Sequence, residues 1–301
     1  MSRRYAILDV FTDTPLAGNP LAVVLDSEGL DGAAMRAVAR EFNLSETVFV
    51  LPPEAPRHRA RLRIFTPVRE LPFAGHPTVG TAVLLALDDR GNGRAADAVM
   101  FGLEVEAGTV ACAVETGERR GHARFKAPTL PEWLGEAAEP GALADALGLA
   151  GHDIGFARHA PSRHGSGGPS FTFVPVASVA ALDGARLDAA AFARLPGGVD
   201  AVYLYALEPE ALGRSYRTRM FAPHLGVPED PATGSAAAAF AGVLMQHEAM
   251  GEGTHDVVLR QGFAMGRPSE IALQLVIAQG ALRSVEIGGS AVVIAEGRLH
   301  V

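Results

Sequence analysis

The 301-residue chain holds a single cysteine, Cys112, so no intrachain disulfide can form and a reducing cytoplasm is the expected location. Cys112 lies within Thr109–Val114, where a small buried thiol is the ordinary explanation. No apolar stretch approaches the length of a membrane span. No secretory leader is expected: Tyr5 to Val10 is strand-like, short and soon interrupted. Positive charge is in deficit, and a net charge of −8 argues against a nucleic-acid surface. Metal-ligand spacing is missing too. His152, His159 and His164 share a glycine-rich stretch without thiol or acidic partners, read as surface residues, and no metal site is expected.

What remains is an ordinary globular composition, 48% hydrophobic and 20% charged. The length suits two domains of about 150 residues each. Tyr5 to Val10 and Leu21 to Leu25 read as a strand pair joined by a turn with Gly18-Asn19-Pro20. Asp31 caps a helix through Phe42 with Met35, Val38 and Phe42 on one face. Strands follow over 47–51 and 61–65, then around 99–105 and 108–114. Residues 116–135, charged and proline-bearing, read as the crossover between halves. Beyond it, Phe171 to Val174 reads as a strand and Leu187 to Leu195 as a helix with Asp188 near its start. A helix from Ala236 to about His247 precedes strands over 256–259, 271–276 and 291–295. Strands and helices mix without strict alternation, which favours an α+β fold, mainly antiparallel, over a Rossmann-type sheet.

The chain is organised around Ala74-Gly75-His76-Pro77-Thr78-Val79-Gly80-Thr81-Ala82, which opens an apolar run ended by Asp88-Asp89-Arg90-Gly91. Pro77 suits a first helical turn, and the free N–H groups of that turn form an anion site. Gly75 and Gly80 permit close approach of a ligand or another backbone. A phosphate loop is excluded, because no lysine precedes Thr81. The stretch has an echo: His76-Pro77-Thr78-Val79-Gly80-Thr81-Ala82 aligns on Asp230-Pro231-Ala232-Thr233-Gly234-Ser235-Ala236, 154 positions later. Arg63-Ile64-Phe65-Thr66-Pro67 aligns on Arg219-Met220-Phe221-Ala222-Pro223 at 156, and Glu46 to Val50 on Asp200 to Leu204 at 154. A repeat of this length predicts two similar halves, each placing a helix N-terminus at a corresponding point.

The repeat pairs His76 with Asp230, and Glu46 lies close by between a helix and a strand. Read singly, Glu46 is a loop carboxylate, His76 a turn residue and Asp230 an N-cap. Facing each other across a cleft, they form a titratable set. A carboxylate beside an imidazole, with positive helix ends to hold an anion, suits proton removal and return at carbon. Ser235 is not in a nucleophile elbow, since Ala237 stands where the last glycine belongs, so a serine hydrolase is not expected.

Asp9-Val10-Phe11-Thr12 with Gly18-Asn19-Pro20, Asn43-Leu44-Ser45-Glu46-Thr47, Gly75-His76-Pro77-Thr78 and Asp230-Pro231-Ala232-Thr233-Gly234-Ser235 together resemble the PhzF family. Gln261-Gly262, Gly266-Arg267-Pro268-Ser269 and Gly288-Gly289-Ser290 fit it as well, so the resemblance spans nearly the whole chain. It implies a diaminopimelate epimerase-like fold of two pseudo-symmetric domains, each a curled, mainly antiparallel sheet around a central helix. The halves would be residues 1–120, with 286–301 returning to them, and 121–285, the active site lying in the cleft between. By the same resemblance Glu46 is the general acid/base, and His76 and Asp230 assist proton transfer. Asn19, Gly75, Gly234 and Ser235 are implied to contact the substrate, a small anionic molecule like dihydrohydroxyanthranilate. No cofactor, metal, nucleic acid or membrane is implied, and a homodimer is the family habit. An epimerase or lyase acting on another small carboxylate, or an idle binding protein, is the alternative on the same fold. The related racemases that use two thiols are excluded by the one cysteine.

Overall fold

In a computed structural model, residues 2–93, 97–196 and 199–301 are described. Strands β1 (Ser2–Val10) and β2 (Asn19–Val24) form the expected antiparallel pair. Helix α1 (Gly32–Phe42) is capped by Asp31, whose carboxylate accepts from the Ala34 N–H. It ends at Asn43 in the left-handed conformation, φ 51°. Next come β3 (Glu46–Leu51), β4 (Ala60–Phe65), β5 (Glu70–Leu71), helix α2 (Gly75–Gly91), β6 (Ala98–Val105) and β7 (Gly108–Thr116). The chain continues through β8 (Arg120–Lys126), β9 (Glu132–Glu136), α3 (Pro140–Leu147), β10 (Ser162–Gly165) and β11 (Ser170–Pro175). Helices α4 (Val179–Gly184) and α5 (Ala189–Phe192) precede β12 (Val202–Leu207), β13 (Arg214–Ala222) and β14 (Val227–Asp230). Helix α6 (Gly234–His247) and strands β15 (Gly253–Gln261), β16 (Ser269–Ala278) and β17 (Ala281–His300) complete the chain.

The pairing follows the sequence repeat. β2 runs parallel to β3, β3 antiparallel to β4, β4 parallel to β6, and β6 to β8 form a meander. In the same order β11 runs parallel to β12, β12 antiparallel to β13, β13 parallel to β15, and β15 to β17 form a meander. Each parallel pair needs a crossover. α1 and α2 supply the first two; α4 with α5, and then α6, supply the others. β17 closes a barrel: it pairs with β16 up to Gly288, with β8 through Val292, and with β1 from Ala291 onward.

Helix α2 is buried from Gly75 through Ala86 and packs against β1, β2, β3, β7, β8 and β17. A helix enclosed on so many sides carries no polar stripe. Gly80 fits it closely to the first hairpin, since a Cβ there would lie 2.6 Å from Leu21 Cδ2 and 2.7 Å from Val10 Cγ2. Helix α6 presents Ala236, Ala237, Ala238 and Ala239, all buried, and sets Phe240 among Tyr203, Tyr205 and Tyr216.

Two expectations fail here. Residues 116–135 are not a plain crossover, because they hold β8, which bridges β7 and β17, and part of β9. The alternation eBeBeBe along β8 shows why: its charged residues face out while Gly121, Ala123 and Phe125 face the core. The helix expected over 187–195 is also shorter, Ala189–Phe192, although Asp188 caps it by accepting from the Ala190 and Ala191 N–H groups. Pro196 disfavours the helical region at Leu195.

Candidate active site

Helices α2 and α6 meet at their N-termini. A Cβ on Gly75 would lie 2.7 Å from Gly234 Cα, and one on Gly234 would lie 3.0 Å from Gly75 Cα. Neither helix start carries a side-chain cap, the N-cap positions being Ala74 and Thr233. Two sets of unsatisfied N–H groups therefore converge at one place, a favourable seat for negative charge.

Around this junction stand the residues singled out in the sequence. Asn19 opens β2, Glu46 opens β3, His76 is the second residue of α2, and Asp230 ends β14. Asn19 Nδ2 donates to Asp230 Oδ1 at 2.9 Å and to the Ala232 carbonyl at 2.8 Å. Those two acceptors fix its amide orientation. The same nitrogen lies 3.4 Å from His76 Nδ1, its two hydrogens already directed to Asp230 and Ala232. His76 Nε2 lies 3.4 Å from Glu46 Oε2. That approach lacks hydrogen-bond geometry, and both atoms are buried without a partner among the described residues.

The electrostatics follow from burial. It raises the Glu46 carboxyl well above the ordinary carboxylate range, and the neighbouring Asp230 charge raises it further. Asp230 is pushed up to about 6, again by burial first, against the hydrogen bonds from Thr233, Asn19 and Ser45 that favour its charged form. His76 is pushed down to about 3 by burial and is neutral at physiological pH. Two carboxyls that cannot readily ionise together sit beside a neutral imidazole.

The structure brings Asn19, Glu46, Gly75, His76, Asp230, Gly234 and Ser235 together; except for Asn19, all line one cleft, and Ser235 is half-buried at its wall. The glycines also serve a purpose not anticipated from sequence, since their missing side chains allow the two helices to abut. Asp230 is not the N-cap of α6; that position is Thr233, whose hydroxyl donates to Asp230 Oδ2 at 2.6 Å. Sequence reasoning also gave no role to Ser45, which donates to Asp230 Oδ1 at 3.4 Å, or to Gln261. Gln261 Nε2 donates to the Asp230 carbonyl at 2.7 Å, and its Oε1 accepts from the Thr233 N–H at 3.2 Å. Ser45 could have been found from its place beside Glu46; Gln261 is marked by the Gln261-Gly262 motif, which does not say what it bonds.

The histidine reading needs correction. His152 is exposed, but His159 and His164 are buried. His159 contacts the Tyr205 hydroxyl at 3.0 Å and Glu248 at 3.5 Å, and His164 contacts Gln246 at 3.0 Å. Their partners come from β12 and the end of α6, too far along the chain to be seen by spacing. Among the described residues no group of three or more His, Cys, Asp or Glu is placed to hold a metal. A larger open groove of about 650 Å³ lies over β4 and β6, but its arginines are taken, Arg61 by Glu54 and Arg63 by Glu70.

Residues 8–297 match the phenazine biosynthesis-like protein family. The chain belongs to the PhzF family. It is 47% identical over 307 residues to an uncharacterized isomerase of Mesorhizobium japonicum, covering 100% of this chain and 99% of that protein. It is 39% identical over 298 residues to the trans-2,3-dihydro-3-hydroxyanthranilate isomerase of Pseudomonas aeruginosa, covering 99% of each. Among solved structures, the PhzF-family phenazine biosynthesis protein of Bacillus anthracis superposes with a TM-score of 0.87 at 23% identity, over 100% of both chains. This PhzF-family chain is therefore an isomerase with a mostly stranded fold of the PhzF and proline-racemase kind. No helix among its described residues is long and apolar enough to cross a membrane.

Proposed function

We propose that the chain is a cofactor-independent isomerase that moves a proton between carbons of a small anionic substrate resembling dihydrohydroxyanthranilate, with Glu46 as the general acid/base. The observation that carries this reading is the position of Glu46 Oε2: buried, unpartnered and beside His76 Nε2 at the meeting point of two helix N-termini. A carboxylate held there is more basic than one in water. It takes a proton from a substrate carbon, so a C–H bond breaks as an O–H bond forms. The charge left on the conjugated substrate is met by the converging N–H groups and by His76. The Glu46 carboxyl then returns the proton to a different carbon, which restores its charge. Asp230 holds Asn19 and, by its own charge, keeps Glu46 basic.

We read the two sets of like-paired strands as pseudo-symmetric domains, α2 and α6 being their central helices. β8 and the end of β17 go with the first. A homodimer and a cytoplasmic location are carried by the family resemblance and by the single free thiol of Cys112. An epimerase needs a second proton carrier on the opposite face. Asp230 is poorly suited to that, since both its oxygens already accept hydrogen bonds.

Deuterium incorporation tests the proposal. The wild type, given dihydrohydroxyanthranilate and a panel of small unsaturated carboxylates in deuterated water, is expected to place deuterium at carbon. Glu46→Gln should do so about 10²- to 10⁴-fold more slowly. Exchange that survives in Glu46→Gln rules out this mechanism.

A further inference from the structure

The cleft that holds Glu46 and Asp230 is lined by one arginine, Arg69, in the turn between β4 and β5. Thr66 fixes that turn: its N–H donates to the Arg69 carbonyl at 2.8 Å, and its hydroxyl accepts from the Arg69 N–H at 2.9 Å and the Val68 N–H at 3.1 Å. Nearby arginines are engaged, Arg63 with Glu70 at 2.6 Å and Arg219 with Glu229 at 2.8 Å. The Arg69 guanidinium has no partner among the described residues.

Its surroundings give that free cation a purpose. The other ionisable groups lining the cleft are two acids and a neutral imidazole, so an entering carboxylate finds no other cationic side chain there. The corresponding turn of the second half differs in kind. The offset of 156 that aligns Arg219 on Arg63 aligns Leu225 on Arg69. The two turns lie against each other, a Cβ on Gly226 lying 3.6 Å from Val68 Cγ2. Leu225 and Val227 line the same cleft as Arg69. One turn supplies the cleft with a cation and the other with apolar side chains, so a substrate with one charged end has a favoured orientation in it.

We infer that Arg69 determines specificity, forming an ion pair with a carboxylate that the substrate holds toward the cleft mouth and so deciding which carbon faces Glu46. The inference rests on the isomerase reading of the same cleft and names the group by which that substrate is recognised.

Calorimetric titration with anthranilate and with anthranilamide tests it. The wild type is expected to bind the acid about tenfold more tightly than the amide, as one charge-assisted pair provides. Arg69→Gln should bind the two equally, Arg69→Lys should keep most of the preference, and neither should change Tm, the side chain being exposed. A wild type that takes the acid no better than the amide, or an Arg69→Gln variant that keeps the preference, overturns the inference. Carbon-bound deuterium is read separately. Its absence with every substrate, alongside an acid preference that disappears with Arg69, defeats the isomerase reading and leaves the binding role standing.

Discussion

Gly75 and Gly234 stand back to back, so close that a single methyl group on Gly75 would lie 2.7 Å from Gly234 Cα and 2.8 Å from its carbonyl carbon. The obstacle is backbone on both sides, and neither helix start can yield without moving the other. Gly75→Ala should therefore destabilise the protein by about 1–3 kcal/mol, the usual cost of overpacking. It should also displace His76 and lower activity more than stability alone explains. Chemical denaturation together with the deuterium assay checks this; a Gly75→Ala protein of wild-type stability would show that the helices separate easily.

The pH dependence of stability has a definite sign. Glu46 and Asp230 hold protons more tightly folded than unfolded. Their contribution is complete below the unfolded values, about 4, and is lost as pH rises through the folded ones, about 6 for Asp230. His76 acts in the opposite sense: its contribution stands above about 6.5 and is lost as pH falls toward 3. Asp230→Asn isolates one carboxyl. The stability of the wild type relative to this variant should decline by about 2 kcal/mol between pH 4 and pH 7. A difference that stays constant over that range contradicts the burial argument.

Asn19 acts on the same carboxylate through hydrogen bonds. Its amide donates to Asp230 Oδ1 and favours the charged form. Asn19→Leu, similar in volume, removes that donor, the bond to the Ala232 carbonyl and the contact with His76 Nδ1. The Asp230 pKa should rise further, moving the acid limb of the pH–rate profile to higher pH, and stability near neutral pH should fall by about 1–3 kcal/mol. NMR titration of the carboxyl measures the first effect directly. An unshifted Asp230 would mean that Thr233 and Ser45 suffice to hold its charge.

Much of this arrangement was legible because it is written locally and then repeated. The turn opening α2 and its echo opening α6 marked both helix starts, and the offsets of 154 and 156 foretold that β3 with β4 and β12 with β13 would pair alike. Legibility ended where a residue depends on distant chain. β8 looked like a charged linker because its polar face dominates its composition, while its pairing with β17 spans 160 positions or more. His159 and His164 looked like surface residues because Tyr205, Glu248 and Gln246, which bury them, lie far along the sequence. Gln261 stood in a family-like motif, but its role did not show because Asp230 and Thr233, which it bonds, lie about 30 positions away.

Arg267 and Asp9 illustrate such a distant pair and carry the last prediction. Arg267 Nη2 lies 2.5 Å from Asp9 Oδ1, and its Nη2 and Nε donate to the carbonyls of Ala17 and Gly18 at 2.7 Å each. The pair ties the turn after β15 to the residues just before Asn19, so Arg267 positions the amide that holds Asp230. Asp9 is 1% exposed, and its second oxygen accepts from the Leu16 N–H at 2.6 Å. Arg267→Met would strand a buried carboxylate, and removing one partner of such a pair typically costs about 3–5 kcal/mol. Adding Asp9→Asn removes the stranded charge, so the double variant should recover part of that loss. Activity should stay impaired in both, because neither restores the hold on Gly18. Denaturation of the two single variants and the double variant, with kcat and KM for each, separates these effects. If the double variant regains full activity along with stability, Arg267 serves the fold alone and does not position Asn19.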